Sequence, residues 1–127
     1  MSLLLDTCTL IWVVVEPDRI PQSTRDAIES EFSIYLSAVS GIEIANKAKT
    51  GKLRLSLSPT AWFDKARADF SLVEIPITLD HSIAAGALPL HHRDPFDRLL
   101  IAQARAEKLT LVTPDPVFAR YDVALLW

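Results

Sequence analysis

The chain has 127 residues, of which 50% are hydrophobic and only three are glycine, and its formal net charge is −3. This composition fits a single globular domain over residues 1–127 and excludes a disordered or fibrous chain. The negative charge gives no general support to nucleic-acid binding, so any such binding requires a local basic surface.

The first elements predicted are a buried strand over residues 3–5 and a helix over residues 7–15. This stretch is strongly apolar, is interrupted by Asp6 and ends at Glu16-Pro17. It is too short to cross a bilayer as a helix and lacks the basic start of a secretory signal, so we expect no membrane segment there. The single cysteine, Cys8, is interpreted as a small packed side chain. It excludes an internal disulfide and fits a reducing cytoplasm.

Beyond this stretch, strand and helix signals alternate without hairpin turns. Further strands are predicted at residues 34–36, 72–77, 109–113 and 123–127. Helices are predicted over residues 21–31, from a Ser40 cap to a stop at Gly51, from Ser58-Pro59, from an Asp80 cap to Leu88-Pro89, and over residues 96–108 after Asp94-Pro95. This order predicts an α/β fold, a three-layer α/β/α domain with a central, mostly parallel sheet.

Four acidic residues fall where such a sheet binds ligands, beyond the carboxyl ends of its strands. Asp6 and Asp115 directly follow predicted strands, and Glu43 and Asp97 lie in the first turns of predicted helices. They converge only if the first and fourth strands are neighbours. Clustered carboxylates repel one another, and a hard cation such as Mg²⁺ or Mn²⁺ offsets that repulsion. The absence of cysteine pairs and of a His-x-x-x-His pattern argues against zinc.

Each acid also has a purely structural interpretation. Asp6 can be a turn or cap residue, and Asp115, between two prolines, can be a turn residue. Asp94 fits a helix N-cap with Asp97 three positions later. The helix dipole stabilises a negative charge at both positions. Glu43 is the hardest to explain this way, because apolar residues flank it on both sides and an unpaired charge there is costly.

Four segments together form a family pattern, namely LLDT at 4–7, SGIEIA at 40–45, HRDPFDRLLIAQA at 92–104 and LVTPD at 111–115. They resemble the PIN-domain ribonucleases and, more closely, the VapC-type toxins of bacterial toxin–antitoxin pairs. The resemblance runs nearly end to end, and the third segment is its most specific part. Two departures are visible: Gly41-Ile42 stand before Glu43 where an aromatic residue is common, and Pro114 is unusual beside Asp115.

The resemblance implies a PIN-like fold and a metal-dependent endoribonuclease that hydrolyses RNA phosphodiester bonds. It places the catalytic and metal-binding acids at Asp6, Glu43, Asp97 and Asp115, with Mg²⁺ or Mn²⁺ as the cofactor. It further implies a cognate antitoxin that fills the acidic groove, and a homodimer.

Substrate contacts are expected from hydroxyl and basic side chains close to the acids. Thr7 and Thr113 stand where hydroxyls support the acids in the family, and their alternative interpretation is local capping. Arg98 follows Asp97 directly. Lys47 belongs to the basic stretch 47–54, which is interpreted either as a phosphate contact or as solvated helix surface.

The remaining candidates are three tryptophans and two histidines. The tryptophans are expected in the core or at an interface, and they are Trp12, Trp62 and Trp127. His91 and His92 are expected in a loop before a helix, with substrate or partner contact as the less favoured alternative.

Two rival functions remain open. A catalytically silent PIN-fold binding module is the stronger one, although the intact acids argue against it. A phosphatase with Asp6 as nucleophile requires a second aspartate two positions later, where Cys8 stands.

Overall fold

A computed structural model describes residues 2–31 and 33–127. The strands are β1 (Leu3–Leu5), β2 (Ile34–Ser37), β3 (Leu72–Ile75), β4 (Thr110–Val112) and β5 (Leu125–Leu126). The helices are α1 (Thr7–Val15), α2 (Gln22–Ser30), α3 (Val39–Lys49), α4 (Pro59–Phe70), α5 (Leu79–Ala87) and α6 (Pro95–Ala106). Single 3₁₀ turns cover Pro17–Arg19 and Pro116–Arg120.

The strands form one sheet in the order β3-β2-β1-β4-β5, and all four pairings are parallel. Strand β1 is central, and its side chains are fully buried on both faces. Leu3 and Leu5 pack into one hydrophobic cluster, while Leu4 packs into a second cluster on the opposite face. The predicted three-layer α/β/α domain with a parallel sheet is therefore confirmed.

The pairing of β1 with β4 brings distant parts of the chain to one edge of the sheet. Leu5 is opposite Val112, and the backbone N–H of Asp6 donates to the Val112 carbonyl at 3.1 Å. The residues that follow both strands thus emerge side by side. The adjacency on which convergence of the acids depends is confirmed.

Two of the predicted helix caps are wrong. Ser40 lies inside α3 and is buried; the backbone N–H of Val39 at the start of that helix donates instead to the Ser37 hydroxyl at 3.1 Å. The N-cap of helix α5 is Thr78 rather than Asp80. Thr78 accepts a hydrogen bond from the His81 backbone N–H, and the His81 side chain accepts one from Thr78 in return. Ser40 is not a cap because tertiary packing buries it inside the helix. Thr78 is the cap because it forms this reciprocal capping box with His81.

Several element ends also differ from the prediction. Strand β3 ends at Ile75, before Pro76, which has no backbone N–H for a ladder. Helix α6 ends at Ala106, close before Lys108, whose φ of 55° is left-handed. The helix start predicted at Ser58-Pro59 is confirmed, and Ser58 is the N-cap of α4, where it accepts from the backbone N–H of Ala61.

The tryptophans lie in two kinds of surroundings. Trp62 is buried in the hydrophobic cluster that contains Leu3 and Leu5. The Trp12 ring contacts the Trp127 ring at 5.8 Å, and the Arg19 guanidinium lies 4.4 Å from the Trp12 ring centre. The core position is confirmed for Trp62. Among the described residues, no helix is both long and apolar enough to cross a membrane.

Candidate metal centre

One pocket at the carboxyl edge of the sheet collects the acidic side chains. Its lining includes all four predicted acids and the N-cap acid of α6, namely Asp6, Glu43, Asp94, Asp97 and Asp115. These residues come from the end of β1, from α3, from the start of α6 and from the loop after β4. The predicted convergence is confirmed as geometry, while the roles assigned to these acids stay predictions.

Within the pocket, Asp97 belongs to two tight groups of possible ligand atoms. Oxygen atoms of Glu43, Asp94 and Asp97 lie within 4.8 Å of one another. A nitrogen of His92 and oxygens of Asp97 and Asp115 meet the same limit. Asp97 therefore joins the two halves of the site. Asp6 lines the same pocket but belongs to neither group.

Asp6 combines a capping role with its place in the pocket. Its Oδ1 accepts the backbone N–H of Thr9 at 2.7 Å, so it is the N-cap of α1. Only 5% of the residue is exposed, and this burial raises the pKa of the carboxyl. Hydrogen bonds from Thr113 and Thr9 counteract that rise. The structural and the site interpretations of Asp6 are thus compatible.

Glu43 is oriented by hydroxyl groups. The Thr7 hydroxyl donates to its Oε1 at 2.6 Å, and the Thr7 oxygen is also 2.9 Å from the Ser40 hydroxyl oxygen. Burial raises the pKa of Glu43, and the Thr7 hydrogen bond opposes this shift. The hydroxyl support predicted for Thr7 is present in the structure, and it links α1 to α3.

The start of α6 places two acids in the pocket. Asp94 is the N-cap, and its Oδ1 accepts the backbone N–H of Phe96 at 2.9 Å, as predicted. Burial, followed by the charges of Asp94 and Glu43, raises the pKa of Asp97 from 3.8 to about 8. Burial therefore disfavours the charged form of Asp97, and the neighbouring acids add to that effect.

Asp115 and Thr113 are held by the loop after β4. The Thr113 hydroxyl accepts the backbone N–H of Asp115 at 3.1 Å, and Asp115 Oδ1 accepts that of Val117 at 2.9 Å. Asp115 is the N-cap of the Pro116–Arg120 turn. With Pro114 before it, Asp115 still lines the pocket.

The sequence interpretation missed His92 as part of this site. His92 does lie in the loop before α6, as expected, but its Nε2 is 2.9 Å from Asp97 Oδ2 and 3.1 Å from Asp115 Oδ2. No periodicity or composition signal marks such a residue. The only indication was its place in the most specific segment of the family pattern.

The basic candidates and Cys8 have different relations to the pocket. Lys47 lines it, one helical turn after Glu43, whereas Arg98 is not among its lining residues and donates to the backbone carbonyl of His92 at 3.2 Å. Cys8 is half-buried at the pocket, and burial raises the pKa of its thiol to about 11. A protonated thiol at neutral pH is a poor nucleophile, so this geometry supports a packing role.

The donor set fits a hard divalent cation. Apart from one His92 nitrogen, its possible ligand atoms are carboxylate oxygens in close groups, which Mg²⁺ and Mn²⁺ prefer. The neighbouring acids contribute to the raised pKa of Asp97, and a bound cation would offset their negative charge. Asp6, Glu43, Asp97 and Asp115 are the residues that would hold it.

The fold and the site define a class of protein, namely a parallel α/β domain with an acidic pocket at the carboxyl edge of its sheet. Comparison with known families identifies the family. The PIN-domain family model matches residues 3–124, and the chain belongs to the PIN-domain family. It is similar to Ribonuclease VapC22 of Mycobacterium tuberculosis (strain ATCC 25618 / H37Rv), with 30% identity over 117 residues that cover 90% of this chain and 87% of that one.

Solved structures share the fold at low identity. VapBC2 from Rickettsia felis, solved with a promoter DNA fragment, superposes with a TM-score of 0.74 at 20% identity over 99% of this chain and 98% of that one. DNA-bound VapBC from Salmonella typhimurium gives 0.72 at 18% identity over 99% and 97%. FitAcB from Neisseria gonorrhoeae gives 0.67 at 20% identity over 98% and 96%.

Proposed function

We propose that this chain is a metal-dependent endoribonuclease that hydrolyses RNA phosphodiester bonds and acts as the toxin of a toxin–antitoxin pair. The observation that carries the proposal is the meeting of acids from four separate elements in one pocket. Membership of the PIN family and the similarity to a protein named as a ribonuclease support the same activity. We also propose a cytoplasmic location, because a chain with the single cysteine Cys8 fits a reducing compartment.

The proposed cofactor is Mg²⁺ or Mn²⁺, held by Asp6, Glu43, Asp97 and Asp115. Such an ion lowers the pKa of a coordinated water and offsets charge on the phosphoryl oxygens. Thr7 holds the Glu43 carboxylate in place by its hydrogen bond at 2.6 Å. This fixed orientation reduces the reorganisation that substrate binding requires.

The proposed RNA contacts are basic and hydroxyl groups around the acids. Lys47 lines the pocket and can donate to a phosphate. Arg98 and the hydroxyls of Thr7 and Thr113 complete the proposed set. Because the chain has a net charge of −3, we expect RNA binding to depend on these few groups and to weaken with salt.

The test is incubation of the purified protein with total RNA, with and without Mg²⁺ or Mn²⁺, followed by mapping of the cut ends. We expect cuts only with metal, leaving 5′-phosphate and 3′-hydroxyl ends. Asp6→Asn should abolish cutting, whereas the exposed Asp69→Asn, whose partner is the exposed Lys65, should leave it unchanged. RNA that stays intact under every metal condition would contradict the proposal.

The alternative is a catalytically silent PIN-fold binding module. The same experiment separates the two functions when RNA binding is measured in parallel. Binding without metal-dependent cutting would favour the silent module. The five acids that line the pocket favour the nuclease, because a binding surface for a polyanion gains nothing from clustered negative charge.

A cognate antitoxin is the proposed protein partner. One solved structure with this fold is described as a toxin–antitoxin complex from Klebsiella pneumoniae. An acidic pocket is complementary to a basic side chain, so we propose that an antitoxin segment with Arg or Lys fills it. Co-expression with the antitoxin should therefore suppress RNA cleavage, and Asp97→Asn should weaken the complex.

A homodimer completes the proposed assembly. On α5, Leu79 and Ile83 lie one helical turn apart, and 76% and 62% of these residues are exposed. An exposed apolar pair on a helix is a frequent feature of subunit interfaces. Light scattering should give twice the mass of the chain, and Ile83→Glu should shift it toward the monomer. A wild-type monomer at all concentrations tested would contradict the dimer.

A further inference from the structure

The backbone of His92 is held by hydrogen bonds on both sides. Its N–H donates to the Tyr121 hydroxyl at 2.7 Å, and that hydroxyl donates in turn to the Pro89 carbonyl at 2.6 Å. Its carbonyl accepts from Arg98 Nη1 at 3.2 Å. These contacts connect the loop to α6 and to the end of the Pro116–Arg120 turn. The backbone of His92 is therefore held in place independently of the contacts of its ring.

The ring has one defined hydrogen-bonding direction. The backbone N–H of Asp94 donates to His92 Nδ1 at 3.2 Å. An amide N–H can only donate, so Nδ1 must present its lone pair, and the proton of the neutral imidazole lies on Nε2. The Phe118 ring packs edge-on against the imidazole at 5.6 Å and limits its rotation.

The Nε2 atom lies between two acids from different elements. Asp115 Oδ2 is hydrogen-bonded to Nε2 at 3.1 Å, and Asp97 Oδ2 lies 2.9 Å from the same nitrogen as a close polar contact. Asp97 is on α6 and Asp115 follows β4. Because this one nitrogen lies between the two carboxylates and contacts both, it sets their spacing.

We propose that His92 is a positioning residue whose Nε2–H donates to Asp115 and whose ring lies against Asp97, so that it holds both carboxylates at the spacing of the metal site without ligating the ion. The inference rests on the metal site of the proposed function. Ligation through Nε2 would require its proton to move to Nδ1, where it would face the Asp94 N–H. In this role the histidine donates a hydrogen bond to a metal ligand. Residues outside the coordination shell of metal sites commonly orient the ligands in this way.

The tautomer is tested by ¹⁵N NMR of the imidazole ring in the metal-free protein. The expected spectrum has a protonated Nε2 and an unprotonated Nδ1. Pulsed EPR of the Mn²⁺-loaded protein should then show no directly coordinated ¹⁴N. A coordinated ¹⁴N coupling that disappears in His92→Ala, or a proton on Nδ1, would overturn the proposal.

The spacing role is tested by Mn²⁺ and Mg²⁺ affinity, measured by calorimetry without RNA. Loss of such an outer contact typically weakens metal binding by about 10- to 100-fold. We expect His92→Ala to weaken both ions by the same factor, because the lost group is not a ligand. His92→Gln can place an N–H near the Nε2 position and should restore part of the affinity. The exposed neighbour His91→Gln is the control and should be unchanged.

Outcomes against the proposal are distinct from failure of the nuclease function. Unchanged affinity in a folded His92→Ala protein, or a loss confined to Mn²⁺, would overturn the positioning role even if RNA is cut. If metal affinity depends on His92 but the protein cuts no RNA, the positioning role would stand and the nuclease function would be rejected. Should His92→Ala fail to fold, the NMR, EPR and His92→Gln measurements still decide.

Discussion

Two histidines of this protein make the same local pattern of hydrogen bonds in different regions. His81 Nδ1 accepts the backbone N–H of Thr78 at 3.1 Å, and its Nε2 lies 3.1 Å from Glu107 Oε1. His92 Nδ1 likewise accepts a backbone N–H, and its Nε2 faces carboxylates at the acidic pocket. Local geometry alone does not distinguish the two residues.

The surroundings of the carboxylates do distinguish them. Glu107 is a single acid whose side chain is 49% exposed, at the contact between α5 and α6. Asp97 lies among four other acids, and burial together with their charges raises its pKa to about 8. The first histidine completes a helix cap, whereas the second faces negative charge in excess. A histidine–carboxylate contact therefore indicates a functional site only where the carboxylates themselves are clustered.

The largest expected effect compares the same substitution in the two regions. Glu43→Gln should reduce metal-dependent RNA cleavage by about 100-fold or more, the usual scale for loss of a group that stabilises the transition state. Glu107→Gln should cut RNA at the wild-type rate. Initial rates on one defined RNA measure both. Equal rates for Glu43→Gln and wild type would remove Glu43 from the proposed site.

The next effect separates stability from metal binding. His81→Ala removes the side-chain acceptor of the α5 capping box and the part-buried hydrogen bond to Glu107, so the free energy of unfolding should fall by about 2 kcal/mol. Its Mn²⁺ affinity should not change. Urea unfolding and calorimetry give the two values. A matching loss of metal affinity would mean that the two regions are coupled.

Metal addition should stabilise the protein only through the pocket. With Mg²⁺ at ten times its dissociation constant, linkage predicts about 1.4 kcal/mol of extra stability. The gain should persist in Glu107→Gln and disappear in Glu43→Gln. Unfolding with Mg²⁺ and with EDTA measures it. A gain of equal size in both variants would place the bound ion elsewhere.

The smallest effect concerns Asp97 in the metal-free protein. Asp97→Asn should raise the melting temperature by about 3 °C at pH 8, because it removes carboxylate repulsion. A clear drop would instead favour the role of Asp97 in the first turn of α6. Thermal melts in EDTA provide the measurement.

The pH dependence of the same protein sharpens this result. The folded pKa of Asp97 is raised to about 8 from 3.8, so between these values the folded state binds a proton that the unfolded state does not. Stability of the metal-free protein should therefore fall as pH rises from about 4 to about 8. This slope should be shallower in Asp97→Asn. Equal slopes would show that Asp97 does not titrate in this range.

Local signals predicted much of the fold and part of the site. The apolar run Leu3–Leu5 predicted a strand buried on both faces, and the Asp94-Pro95 pair predicted the start of α6, with Asp94 as its cap. Both depend on residues within a few positions of one another. The cap predicted at Ser40 failed because tertiary packing buries that residue. The cap predicted at Asp80 failed because Thr78 pairs with His81, where a capping box usually has Glu or Gln.

The amino-acid sequence by itself determined which residues are acidic, which stretches are apolar and where most helices begin, because these follow from composition and nearest neighbours. Only the tertiary structure decided that β1 pairs with β4, so that Asp6 meets Asp115. It alone brought His92 to Asp115. Such contacts join residues far apart in the chain, and they are set by burial of both faces of the sheet rather than by local preference.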